Sequence, residues 1–154
     1  MSPPLTVRLH ELITTGDFGG LRPGMTRMAA HEQLGDPDDF GGMGTRDMMT
    51  AGFWRYGVME LHFYEDDTVW MLYTDHIGQH CESAALSVDD WILGPETTLQ
   101  DVLEPLLSLQ LPLTIDHTTD LILLTVRKTS VKMTFAIVPD QPTLTARFSS
   151  IQPT

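Results

Sequence analysis

The chain has 154 residues, 42% hydrophobic and 19% charged. That suffices for one domain, or for two small halves sharing a core, and is too rich in large apolar residues for a disordered acidic tail. Twenty-one Asp and Glu against nine Lys and Arg leave a formal charge of −12, which repels phosphate backbones and anionic lipid and so argues against nucleic-acid and membrane partners.

The charge is uneven. Residues 1–90 hold 15 acids and 5 arginines, a net of −10, whereas residues 91–154 hold 6 acids and 4 bases, a net of −2. A basic protein would be drawn to the first of these surfaces. The single cysteine, Cys81, excludes an internal disulfide and suits a reducing compartment. Met1-Ser2-Pro3-Pro4 lacks the basic and apolar regions of a signal peptide. No apolar run approaches the ~20 residues needed to cross a bilayer. The expected location is the cytoplasm.

In chain order, Leu5, Leu9, Leu12 and Ile13 fall on one helical face, with Thr6 as N-cap and Gly16 as the left-handed stop. A second helix is expected from about Arg27 to Leu34. Thr26 caps it, Met25 packs on Ala30, Gly35 closes it and Pro37 forbids continuation. Residues 36–52 read as a long Gly/Asp-rich loop. Phe53 to Tyr64 reads as one strand, Glu65-Asp66-Asp67 as its turn, and Thr68 to Thr74 as the returning strand. Met59, Leu61 and Phe63 form its core face.

Residues 75–96 are a polar connection, with a short edge strand expected around Trp91, Ile92 and Leu93. Leu99, Val102, Leu103, Leu106 and Leu107 then follow the helical template. Thr98 and Asp101 form an approximate capping box, while Pro105 should bend or break that helix. Leu121 to Val126 and Val131 to Val138 form a second hairpin around Arg127-Lys128-Thr129, and Leu144 to Ile151 can add an edge strand. Val131, Met133, Phe135 and Ile137 alternate with polar or small residues, as in a strand buried on one face.

Each half thus reads as a helix followed by antiparallel strands, the pattern of a degenerate duplication. The expected fold class is α+β, a curved antiparallel sheet with helices packed on one face. Residues 1–154 are expected to form a single domain with helix-plus-hairpin halves 1–95 and 96–154.

Leu21-Arg22-Pro23-Gly24-Met25-Thr26, followed by Leu34-Gly35-Asp36-Pro37, resembles a motif of two bacterial groups. These are the small BamE-type outer-membrane assembly lipoproteins and the β-lactamase inhibitory proteins, in which a Gly-Met-Thr turn caps a helix that ends at Gly before antiparallel strands. Phe53-Trp54-Arg55-Tyr56-Gly57 and Glu60-Leu61-His62-Phe63 are similar to a strand of small bacterial proteins with the same start. Some of those resemble immunity proteins that neutralise toxins of the same genome. The resemblance covers residues 21–63. This chain lacks the lipoprotein's lipidation signal and a secreted inhibitor's paired cysteines, so the resemblance implies the fold and a protein-binding sheet.

The candidate binding residues are aromatic and acidic. Trp54, Tyr56, His62 and Tyr64 share the parity opposite Met59, Leu61 and Phe63, and Trp70 lies on the returning strand. With Glu60, Glu65, Asp66 and Asp67 around them, they have the composition of a binding hot spot with an acidic rim. The competing reading places these rings under the 36–52 loop or against the second half.

Other clusters carry less. His76, His80, Cys81 and Glu82 have some metal-ligand character, but Gly78 interrupts them and no second cluster completes a set, so no metal or cofactor is expected. Asp36, Asp38, Asp39 and the 65–67 turn lack calcium-loop spacing and read as solvated turns. Gly41-Gly42-Met43-Gly44 lacks the Lys-Ser/Thr pair of a phosphate cradle. There is no nucleophile elbow, and the six histidines are scattered.

The expected function is a cytoplasmic protein-binding inhibitor, most concretely an immunity protein that occludes the active surface of a basic toxin. The alternative within binding is a secretion chaperone for an effector, usually a dimer. From another class, a small enzyme of unrecognised type would need a pocket with converging titratable groups.

Overall fold

The computed structural model describes residues 4–42, 47–74 and 83–152. It is an α+β fold of two antiparallel four-stranded sheets and one parallel pair, with helices packed against them. The chain opens on β1 (Leu5–Arg8), which runs directly into α1 (Leu9–Thr15). The helical period over Leu5, Leu9, Leu12 and Ile13 therefore misplaces the first turn. Leu5, Thr6, Val7 and Arg8 instead lie in parallel register with Leu86, Ser87, Val88 and Asp89 of β6 (Leu86–Asp89). A distant partner outweighs the local period here, and the β-branched Thr6 and Val7 suit the strand. Arg8, not Thr6, holds the N-cap position, with no side-chain cap bond, while Gly16 ends α1 at φ 80° as expected.

The second helix, α2 (Arg27–Leu34), has the expected ends. Thr26 Oγ1 accepts from the Ala29 amide at 3.1 Å, and Gly35 follows the last turn at φ 76°. The segment that reads as loop contains β2 (Asp39–Gly41) and a 3₁₀ turn at Met48–Thr50. Its carboxylates are tied down rather than merely solvated. Asp36 meets His31 Nε2 at 2.7 Å, Asp38 accepts from the Gly57 amide at 2.8 Å, and Asp39 pairs with Arg55 at 3.2 Å. The single strand expected over Phe53 to Tyr64 is a hairpin, β3 (Phe53–Tyr56) and β4 (Met59–Phe63), with Gly57 at φ 59° in its turn. β5 (Val69–Tyr73) completes a meander ordered β2-β3-β4-β5.

The connection carries its strand at β6. Trp91 sits in a turn at φ 55°, so no edge strand forms there. The helix α3 (Leu99–Ser108) has the full capping box, and Pro105 does not end it. Pro105 lacks the amide that would donate to the Asp101 main-chain carbonyl, yet the helix continues for three residues beyond it. The sheet that follows contains a strand the alternation did not reveal, β7 (Leu113–His117). β8 (Leu121–Val126), β9 (Val131–Ala136) and β10 (Arg147–Gln152) follow, in the order β7-β8-β9-β10. β10 is no free edge: Thr74, at the end of β5, exchanges two backbone bonds with Ile151, at 3.3 and 3.1 Å.

The chain therefore repeats one plan. β1, two helices and a four-stranded meander are followed by β6, one helix and a second four-stranded meander. Equivalent backbone ties confirm the correspondence. The first amides of α2 and α3 donate to the residue just before the fourth strand's bridge: Arg27 to the Asp67 carbonyl and Leu99 to the Ala146 carbonyl, both at 2.8 Å. The fourth strand answers with Val69 to Met25 at 2.9 Å and Phe148 to Thr97 at 2.7 Å. Thr26 and Thr98, the two N-caps, bridge Thr68 and Arg147 in the same way. One buried cluster runs through both halves, from Val7 and Leu9 through Trp54 and Leu72 to Phe135 and Ile151.

Both caps serve equivalent joints, so Thr26→Ala and Thr98→Ala should each lower unfolding free energy by about 1 kcal/mol, with Ser at either position restoring most of it. Urea denaturation checks this.

Candidate functional site

Strand register decides which rings reach solvent. Across β3 and β4, Trp54 stands opposite Leu61 and Tyr56 opposite Met59, and Leu61 stands opposite Leu72 of β5. Cross-strand partners share a face, and all five of these side chains are fully buried. Trp54 and Tyr56 therefore leave the candidate surface. The alternation that put them opposite Met59 and Leu61 fails because the two-residue turn at Gly57 and Val58 makes residues 56 and 59 partners. Trp54 lies against the 36–52 segment, and Tyr56 reaches the end of α2 just before it. Trp54 Nε1 donates to the Met48 carbonyl and Tyr56 Oη to the Gly35 carbonyl, each at 2.7 Å.

The other candidate rings lie on the opposite face and form a chain. Phe53, opposite His62 in the ladder, stacks on its imidazole with centroids 5.7 Å apart. His62 meets Trp70 edge-on at 5.7 Å, and Trp70 meets Tyr64 at 6.0 Å. A bulge creates this arrangement. Phe63 pairs with Val69 and His62 with Met71, so Trp70 is an extra residue turned outward. Trp70 is 42% and Tyr64 59% exposed, both high for rings of this size. Phe53 is the residue that sequence reasoning missed. Its parity with Arg55, which is exposed, would have revealed it once the hairpin was split correctly.

The acids occupy three different settings. Glu60 is half-buried and holds His62 Nε2 at 2.9 Å. Asp66 accepts from the Thr68 amide and hydroxyl at 3.1 and 2.6 Å, which fixes the turn, and Glu65 is exposed beside it. Asp67, with φ 64°, receives Arg27 Nε at 3.0 Å. A cavity of about 470 Å³ opens beside this turn, walled by Phe63, Tyr64, Glu65, Asp67 and Arg27 on one side and by residues 49–52 on the other.

Arg27 is the unusual group. Its side chain is only 5% exposed, and its guanidinium lies 3.9 Å from the Phe63 ring centre and 5.3 Å from that of Trp54. Its Nη1 has no hydrogen-bond partner among the described residues. At the equivalent joint of the second half stand Leu99 and Ala146, both buried and apolar. The first half thus places an ion pair stacked on rings where the second half uses simple packing.

Two groups have clearly displaced pKa values. Burial, helped by the nearby Asp36 and Asp38, pushes the Tyr56 phenol well above the usual phenol range. Burial and then Asp89 raise the Asp90 carboxyl. Neither lines the cavity beside the turn. Among the described residues no group of three or more His, Cys, Asp or Glu could hold a metal ion. His76, His80, Cys81 and Glu82 lie outside them, as do Met43 and Gly44 of the glycine cluster. Among the described residues no helix is long and apolar enough to cross a membrane.

Comparison with family models, curated protein sequences and solved structures returns no significant match.

Removing Asp67 alone strands a buried guanidinium, so Asp67→Gly, which accepts the φ of 64° where Ala would be strained, should cost about 2–4 kcal/mol. Combining it with Arg27→Leu recreates the apolar joint of the second half and should recover most of that loss, measured as a double-mutant cycle in urea. Tyr56 offers a pH test. Its folded pKa lies above the unfolded value of ~10, so its contribution is fully present below that value and is lost as pH rises through the folded one. Unfolding free energy should therefore fall above about pH 10 more steeply in the native protein than in Tyr56→Phe.

Proposed function

We propose that this chain binds a basic protein through the outer face of β3, β4 and β5 and neutralises it by covering its active surface, as an immunity protein does for a toxin. The supporting observation is the chain of rings Phe53, His62, Trp70 and Tyr64, left partly open beside the acidic turn Glu65-Asp66-Asp67. Large rings usually find cover in a chain of this size, and an exposed pair at the centre of a charged rim suits an anchored protein contact. The strongly acidic first half, with its net of −10, adds long-range attraction for a cationic partner.

The setting of the rings favours recognition over catalysis. Glu60 and His62 satisfy each other at 2.9 Å, leaving Trp70 and Tyr64 as the protruding groups. The displaced titratable groups, Tyr56 and Asp90, stand away from the cavity beside them. In this reading the partner meets the protein in the cytoplasm, and neither metal nor cofactor takes part.

The test uses the partner retained by the native chain from its own host. Trp70→Ala and Tyr64→Ala remove exposed rings, so both variants should stay folded. Each should weaken the complex by about 2 kcal/mol or more, roughly 30-fold. Raising salt should slow association far more than it speeds dissociation. Unchanged affinity in the folded Trp70→Ala protein would refute the assignment of this face.

A further inference from the structure

The two meanders meet at the Thr74–Ile151 bridge, so among the described residues their outer edges are β2 and β7. β2 is blunted: three residues long, ending in glycine, with Asp39 pinned to Arg55 across the strand. β7 is different. It has five residues paired along their whole length with β8, and Thr114 to His117 are all exposed.

Its hydrogen-bonding direction follows from the ends of the ladder. Arg127 donates to the Pro112 carbonyl at 3.0 Å, and Thr118 donates to the Leu121 carbonyl at 2.9 Å. Antiparallel pairs alternate between bonded and non-bonded, so residues 112, 114, 116 and 118 face β8. Leu113, Ile115 and His117 must direct their amides and carbonyls away from it, toward the open edge.

We infer that β7 is a self-association edge, and that a second copy of this chain pairs with it antiparallel about a twofold axis at Ile115. In that register Ile115 meets the partner's Ile115, and Leu113 meets the partner's His117, giving about six backbone bonds between copies. Thr114 then faces the partner's Asp116 in the closer, non-bonded pairs, where a hydroxyl can donate to a carboxylate. No like charges stand opposite each other.

Two features select a second copy as the occupant. The edge belongs to the half with a net of only −2, whereas residues 1–90 carry −10 and would repel their own kind. Large apolar side chains also cluster in the chain leading to this edge. Leu107 is 61%, Leu109 48% and Ile115 46% exposed. The rings of β3, β4 and β5 lie at the other end of the strand order, so the pairing is independent of the proposed function and leaves that face open.

Sedimentation of the full chain up to about 0.5 mM should show a reversible monomer–dimer equilibrium. Ile115→Pro deletes an amide that points away from β8, so it should spare the fold while weakening dimerisation about tenfold or more. Ile115→Lys sets two cations face to face on the axis and should do the same without altering backbone geometry. In hydrogen exchange, the amides of Leu113, Ile115 and His117 should gain protection as concentration rises. A native chain that stays monomeric throughout overturns the inference. So does a dimer that survives in folded Ile115→Lys, or one that forms without protecting those three amides.

Discussion

α2 and α3 are each fastened at their first amide to the chain just before the strand that closes the meander of their half. Arg27 and Leu99 donate to Asp67 and Ala146 at the same 2.8 Å, and Val69 and Phe148 return the bond to the residues before the caps. An N-terminal turn has amides that no helix can satisfy internally. Here a strand carbonyl takes one of them and a threonine hydroxyl another. The joint fixes where each helix meets its sheet, and with it which face of β3, β4 and β5 is covered. Trp54 and Tyr56 then fill the covered face, and the ring chain has only the other side to occupy.

The two halves use the same joint with different chemistry. In the second, Leu99 and Ala146 pack and nothing else is required of them. In the first, Arg27 is buried against Phe63 and Trp54 and leans on the more exposed Asp67. A buried guanidinium contributes less to stability than apolar packing would, so the substitution makes the first half more polar at the place where its acidic turn and open rings lie. The second half keeps the apolar joint, carries little net charge, and opens its meander with an edge strand, β7. Recognition in the one and self-pairing in the other are consistent with that division.

The helix ends could be read from the sequence because their causes are local. Thr26, Gly35, Thr98, Asp101 and Gly16 act within four residues of themselves, and each does what its chemistry predicts. The faces of the second hairpin, Val131, Met133 and Phe135, followed equally well from simple alternation. Of the features that did not follow, three have a plain cause. β1 looked helical because its partner, β6, lies far along the chain. β7 alternates over only two apolar residues, Leu113 and Ile115, too short a run to stand out from the turns around it. The hairpin at Gly57 was hidden by a continuous run of strand-forming residues, so the parity of Trp54 and Tyr56 was carried across a turn that resets it.

The sequence by itself determined the acidity and its concentration in the first 90 residues, the α+β class, the capped helices and the presence of a ring-rich, acid-flanked hairpin. Those depend on composition, period and short-range hydrogen bonding. Only the tertiary structure decided which rings are sealed and which are open, that Arg27 stands where Leu99 stands in the other half, and that β7 has no partner on its outer edge among the described residues. Each of these turns on strand register and on contacts between segments distant in the chain, and neither leaves a mark on the local pattern of residues.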